Sequence, residues 1–204
     1  MLPSILSIII GYLLGSIPTA YIVSRLRKGI DIRTVGSGNM GGANVMREIG
    51  TREGVFVGLF DIAKGAGAIL IAQALNVSEL RVFGAGFGAL VGHNFPVFAG
   101  FRGGRGSATT IGIFLVLAPK ATLLTLVVVA IPFFTSRKFT GAIIIGFALL
   151  PLFIWLLNGS LTLVRYSLVI DVFMLIRNLS SIKEVVAKGV IKDMMHDRQR
   201  KRAK

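Results

Sequence analysis

From Leu2 to Val23 the chain runs through twenty-two residues without one aspartate, glutamate, lysine or arginine. One crossing of a bilayer's hydrocarbon core takes roughly 20 apolar residues, so this run alone is long enough to span. Six more apolar segments follow at about Val55–Leu75, Val82–Phe98, Ala108–Ala118, Ala121–Phe134, Phe139–Leu157 and Leu161–Ile176. Lipid offers the backbone no hydrogen-bond partners, which obliges each spanning segment to be helical. With 53% hydrophobic residues, a mean hydropathy of +0.77 and 16% charged residues, the 204-residue chain has more apolar surface than a soluble domain of its size hides. The expected class is therefore an all-α integral membrane protein with seven transmembrane helices. The first run lacks a basic leading segment and reads as a span rather than a cleaved signal peptide.

The fourth and fifth segments are short, and they fit either two tilted helices broken near Pro119 or one bent helix. Charge decides between them. With seven spans and the N-terminus outside, the interior segments hold Arg25, Arg27, Lys28, Arg33, Arg47 and Arg52, then Arg102 and Arg105, then Arg137 and Lys138, then nine basic residues in Arg177–Lys204. Outside remain only Arg81, Lys120 and Arg165. Merging the two short segments would turn the basic tail outward, against the positive-inside rule. The expected organisation is a single membrane domain over residues 1–178, C-terminus cytoplasmic, followed by a basic cytoplasmic tail at 179–204. The formal net charge of +14 then serves topology, and nucleic acid is not an expected partner. Absence of cysteine excludes disulfides, thiolate nucleophiles and thiolate metal sites.

Ionisable residues inside the apolar segments are few. Counted inward at roughly 1.5 Å per residue, Asp61 and Lys64 lie ~10–15 Å from the cytoplasmic end of their helix, and His93 and Asp171 ~8 Å from theirs. Charges within a span are costly and mark functional sites, although Asp61 and Lys64 also fit a self-neutralising i,i+3 pair. Asp171 is a second candidate partner for Lys64. Gly84, Gly88 and Gly92 repeat every four residues, and with Gly11 and Gly15 they suit close helix packing.

Two glycine-rich stretches fall on the cytoplasmic side: VGSGNMGGANVMR at 35–47 and FRGGRGSATT at 101–110. Successive backbone N–H groups in such turns form concave nests for anions, phosphate above all. In the second stretch Arg102 and Arg105 flank Gly103 and Gly104, combining guanidinium forks with backbone donors. In the first, Ser37, Asn39 and Asn44 supply neutral hydrogen-bonding groups and Arg47 a cation. The plain alternative is a pair of topological linkers.

Taken together with DIAKG at Asp61–Gly65 and GHNFPVFAGF at Gly92–Phe101, these stretches resemble the bacterial membrane glycerol-3-phosphate acyltransferases that use acyl phosphate as donor. The resemblance covers roughly residues 1–150. It implies a seven-helix fold in the cell inner membrane, with the active site facing the cytoplasm. The implied reaction moves a fatty acyl group from acyl phosphate to the first hydroxyl of glycerol-3-phosphate, giving lysophosphatidate and phosphate for phospholipid synthesis. No cofactor or metal is implied; the implied partners are the two substrates, membrane lipids and a soluble enzyme that forms acyl phosphate. The family's site positions fall on Ser37, Asn39, Asn44 and Arg47, on Asp61 and Lys64, and on His93, Arg102 and Arg105. Among these, His93, Asp61 and Lys64 are the catalytic candidates, and His93, Asp61 or a substrate phosphate oxygen is the candidate base.

Departures from the family pattern are Ala43 for a usual threonine, arginines at 102 and 105 for usual lysines, and a C-terminal motif in which Arg177, Asn178 and Gly189 alone look comparable. They leave a divergent copy with altered or lost activity as one alternative. A small organic-phosphate or anion transporter is another, though it should carry polar groups at mid-membrane and an internal repeat, neither of which is evident.

Overall fold

The computed structural model describes residues 2–136 and 139–179, with side chains over 3–130 and 145–179. Residues 180–204 of the expected tail, the Arg137–Lys138 turn and Gly189 lie outside the described residues. Helices follow in the order α1 (Leu2–Gly15), α2 (Thr19–Lys28), α3 (Gly42–Glu48), α4 (Thr51–Ala74), α5 (Glu79–Asn94), α6 (Ser107–Leu117), α7 (Pro119–Ser136) and α8 (Phe139–Asn158), then α9 over residues 161–179. No strand occurs among the described residues. Three stretches are long and apolar enough to cross a bilayer: Pro3–Lys28, Thr51–Ala74 and Glu79–Ala99. Residues such as Leu59, Leu70, Leu156 and Val172 turn outward from these and the later helices, as lipid contact requires.

Small residues set the packing. A Cβ added to Gly11 would strike the carbonyl of Ala85, one on Gly15 that of Ala89, and one on Gly92 that of Tyr12. The expected glycine stripe on α5 thus meets its counterpart on α1 backbone to backbone. Contact positions rise together along both helices, so α1 and α5 run in the same direction with α4 returning between them. Gly65 of α4 meets Thr109 of α6 in the same manner. Further along, α9 lies on α5: the Tyr166 ring stacks on Phe83 at 4.4 Å, and its hydroxyl donates to the Phe83 carbonyl at 2.9 Å. The main core gathers Ile69, Leu90, Ile113, Phe114, Ile154 and Ile170. A smaller one, of Ala20, Ile32, Met40, Val45, Val57 and Ala99, sits beneath the loops that follow α2 and α5.

Several expected boundaries move. The first apolar run is two helices, because Pro18 brings no N–H to continue the ladder and the chain breaks between Gly15 and Thr19. The loop expected at 35–47 is shorter, since Gly42–Glu48 winds into α3 once Val45 is buried. The second loop ends at Gly106, whose φ of +89° leads into α6. The helix expected through Phe98 stops at Asn94, ahead of Pro96, and the chain continues as a short 3₁₀ turn at Val97–Ala99. Between the fourth and fifth segments the break falls at Ala118, and α7 folds back so that Thr110 of α6 and Val129 of α7 line one cavity.

Candidate active site

Spacing of three on α4 puts Asp61 and Lys64 on one helix face, turned inward toward α1 and α5. Asp61 and Lys64 are 2% and 5% exposed, and Lys64 Nζ lies 2.8 Å from Asp61 Oδ1. The ammonium also donates to the carbonyl of Ile17 at 3.4 Å. That carbonyl faces it because the helix break before Pro18 leaves it outside the regular ladder. His93, in the last turn of α5, brings Nδ1 to 3.5 Å from the same Asp61 oxygen. One carboxylate therefore serves two partners. Asp171 does not pair with Lys64 as expected: the lysine's bonds go to α4 and Ile17, and Asp171 Oδ1 is buried with no hydrogen-bond partner among the described residues.

The second glycine loop folds directly over this group. Gly104 N–H donates to the His93 carbonyl at 3.0 Å, and a Cβ on Gly104 would strike Nε2 of His93 and approach the Met40 carbonyl. On Gly103 it would strike the His93 carbonyl. Side chains are thus excluded at both positions by contact with α5 and with the first loop. Arg102 is exposed, and Arg105, half-buried, lies on the same loop.

The first loop is held from within. Asn44, 1% exposed, donates through Nδ2 to the carbonyls of Ile32 and Val35, each at 3.2 Å, and accepts from Ser37 N–H at 3.0 Å. Its amide is committed to loop shape, leaving exposed Ser37 and half-buried Asn39 as the groups open to a ligand. Arg47 stands at the end of α3, exposed and in no ion pair among the described residues. The structure brings together Asp61, Lys64, His93, Gly103 and Gly104, sets the first loop against them at Met40, and leaves Arg47 at the margin.

Asn94 escapes a reading of the sequence, and so do the contacts made by Arg177 and Arg33. Asn94, fully buried beside His93, has both amide atoms without hydrogen-bond partners among the described residues, and its only sequence signal is its place next to the histidine. Arg177 at the end of α9 lies 5.2 Å over the Phe95 ring, with Nε buried and unpartnered. Arg33 ties the loops together, donating to Asp31 Oδ2 at 2.7 Å and to the Ala99 carbonyl at 2.9 Å. The Arg33 hydrogen bonds carry the Asp31 carboxyl down from an ordinary 3.8 to about 2, overriding the partial burial that pushes it up.

The glycerol-3-phosphate acyltransferase family model matches residues 5–188. Glycerol-3-phosphate acyltransferase 5 of Dehalococcoides mccartyi is 46% identical over 147 residues, which are 72% of this chain and 63% of that protein. Over the first two relatives compared, both from Dehalococcoides mccartyi, the chain spans 63% and 60% of their length. The glycerol-3-phosphate acyltransferase of Endomicrobium trichonymphae is 38% identical across 93% of this chain and 95% of its own. Crystal structures of PlsY, an integral membrane glycerol 3-phosphate acyltransferase, superpose with TM-scores of 0.85 in its glycerol 3-phosphate form and 0.81 in its lysophosphatidic acid form. Their identities are 31% and 30%, and each covers 91% of this chain and 92% of its own.

Proposed function

The chain belongs to the glycerol-3-phosphate acyltransferase family, and on that premise we propose that it transfers a fatty acyl group from acyl phosphate to the first hydroxyl of glycerol-3-phosphate. The observation that carries the reading is the glycine loop closed over His93, Asp61 and Lys64, with arginines on that same loop. Lysophosphatidate and phosphate are the proposed products. The hydroxyl oxygen bonds to the acyl carbon, the anhydride C–O bond breaks, and its electron pair leaves with phosphate. Because phosphate departs readily, no covalent enzyme nucleophile is required. What the site must supply is positive charge and backbone donors around two phosphates, together with alignment. Arg102, Arg105 and Gly103 take that role with Lys64, while Gly104, whose N–H is spent on the His93 carbonyl, keeps the loop close over the site; Ser37, Asn39 and Arg47 address glycerol-3-phosphate and Asn44 fixes their loop. Gly106 gives the start of α6 no side-chain cap, and the first-turn N–H groups left without intrahelical partners favour anionic groups.

The hydroxyl proton has two acceptors in this arrangement. One is Nε2 of His93, whose Nδ1 side faces Asp61; the other is an oxygen of the substrate phosphate. For the acyl tail, a narrow apolar crevice between α6, α7 and α8, with a cavity of only about 20 Å³, is lined by Ile111, Phe114, Leu126, Val129, Phe147 and Leu150 and marks the direction in which a tail would part these helices. It begins one helical turn beyond the glycine loop. We assign seven spans, the N-terminus outside, and the site to the cytoplasmic face of the inner membrane. The resulting need is a soluble enzyme that makes acyl phosphate. Purified protein in liposomes, given acyl phosphate and glycerol-3-phosphate, tests the reading: new lysophosphatidate supports it. Glycerol-3-phosphate uptake without product would make the chain a transporter, and neither result would make it an inactive copy.

A further inference from the structure

The helix α5 ends at Asn94, yet the apolar stretch continues through Ala99 and on to Phe101. In that continuation Phe95, Val97, Phe98 and Phe101 are 39%, 41%, 62% and 59% exposed. These residues do not sit on a loose loop. Ala99 and Phe101 both donate N–H bonds to the Pro96 carbonyl, at 3.1 and 2.9 Å. From outside the turn, Tyr12 donates to the Phe95 carbonyl at 3.0 Å and Arg33 to that of Ala99 at 2.9 Å. The backbone is pinned on both sides while the large apolar side chains are held outward.

Phe101 adds a second observation. Its φ is +59°, in the left-handed region that a bulky side chain rarely occupies. Such strain persists where surroundings over-determine it, yet the ring itself gains little burial from the described residues. The hydrogen bonds that pin the turn hold that conformation and keep the ring facing outward. Arg102 follows immediately, and cations beside an apolar wedge match the order of a membrane surface, with anionic headgroups above and acyl chains below.

We propose that the Pro96–Phe101 turn is an interfacial anchor, inserting Val97, Phe98 and Phe101 into the bilayer leaflet next to the site. It continues the span of α5 into the headgroup boundary and thereby holds the arginine loop at the depth where an amphiphile's polar head lies. This goes beyond the acyltransferase reading and rests on it only for its kinetic consequence. An acyl donor dissolved in that leaflet would meet Arg102 without leaving the membrane.

The chain contains a single tryptophan, Trp155, half exposed on α8, which serves as a lipid-facing reference. With Trp155→Phe as background, Phe98→Trp is reconstituted in phosphatidylcholine–phosphatidylglycerol vesicles with and without brominated acyl chains. Val97→Trp is the second probe should the first fail to fold, and Ser37→Trp is the aqueous control. The anchor predicts that bromine quenches the indole of the Phe98→Trp variant at least about half as strongly as it quenches Trp155 in the parent, with protection from iodide. Quenching by iodide and not by lipid overturns it, and so does quenching by neither, which would mean that protein covers the turn. In the same vesicles Phe98→Asp should raise KM for acyl phosphate roughly tenfold and leave KM for glycerol-3-phosphate unchanged. An unchanged acyl-phosphate KM in an active enzyme also overturns the anchor. Complete absence of turnover in the parent instead strikes the acyltransferase reading, and the quenching still decides the anchor.

Discussion

Lys64 and Asp61, one turn apart on α4, meet at 2.8 Å with each side chain only 3% exposed to solvent. Withdrawing two charges from water is expensive, and removing one partner of such a pair leaves the other buried and uncompensated. Asp61→Ala or Lys64→Met should each destabilise the folded chain by about 3–5 kcal/mol. The double variant Asp61→Leu/Lys64→Met should regain most of that stability, because neither charge then remains. Thermal unfolding in detergent reads both stability changes, and acyl transfer reads whether the pair takes part in the reaction. If the double variant turns over like the parent, the pair is structural and has no part in the chemistry.

Arg102, Arg105 and Arg47 should act on turnover. Charge-assisted contacts to phosphate are worth about 1.5–3 kcal/mol, so Arg102→Ala, Arg105→Ala and Arg47→Ala should each lower kcat/KM by roughly 10- to 150-fold. Lysine at 102 or 105 should restore much of it, keeping the charge while losing the fork. Arg52→Ala, on the exposed first turn of α4, is the control and should change little. Equal rates for all four alanine variants would make the loops linkers.

Much of this arrangement was legible in the sequence because it rests on periodicity and local chemistry. The four-residue glycine spacing on α5 announced a close helix neighbour, and the structure supplies α1, whose Gly11 and Gly15 answer it. Spacing of three placed Asp61 beside Lys64. The break at Pro18 was less visible, since hydropathy runs smoothly across it. Nor was α3 apparent: a seven-residue helix beginning in glycine forms on the strength of burying Val45, a tertiary effect. Arg33 reaches the Ala99 carbonyl across 66 residues, a contact no local pattern encodes.

Orientation has its own test in a chain without cysteine. Ser78 precedes α5 and Ser37 lies in the first glycine loop, both exposed and at opposite ends of the bundle. In intact cells an impermeant thiol reagent should label Ser78→Cys and spare Ser37→Cys until the membrane is opened. The reverse pattern would put the site on the outer face.

The Asp31–Arg33 link predicts a pH response confined to the acid limb. Asp31 has a lowered carboxyl, so its contribution to stability is complete above the ordinary value of 3.8 and is lost as pH falls through about 2. Hydrogen exchange at residues 31–41 should therefore be insensitive to this carboxyl between about pH 5 and 8, once corrected for intrinsic rates. Arg33→Gln should bring acid loosening of that loop to higher pH. An unchanged acid midpoint in the variant would show that the link does not hold the loop.

In the proposed reaction, activated acyl groups arrive as acyl phosphate and positioned charge suffices to transfer them. The most direct measurement follows phosphate release and lysophosphatidate formation by the purified, reconstituted protein, offering acyl phosphate and acyl-CoA in parallel with glycerol-3-phosphate. Acyl phosphate should give one phosphate for each lysophosphatidate formed, and acyl-CoA alone should give none. Efficient transfer from acyl-CoA, or phosphate release uncoupled from product, would contradict the account.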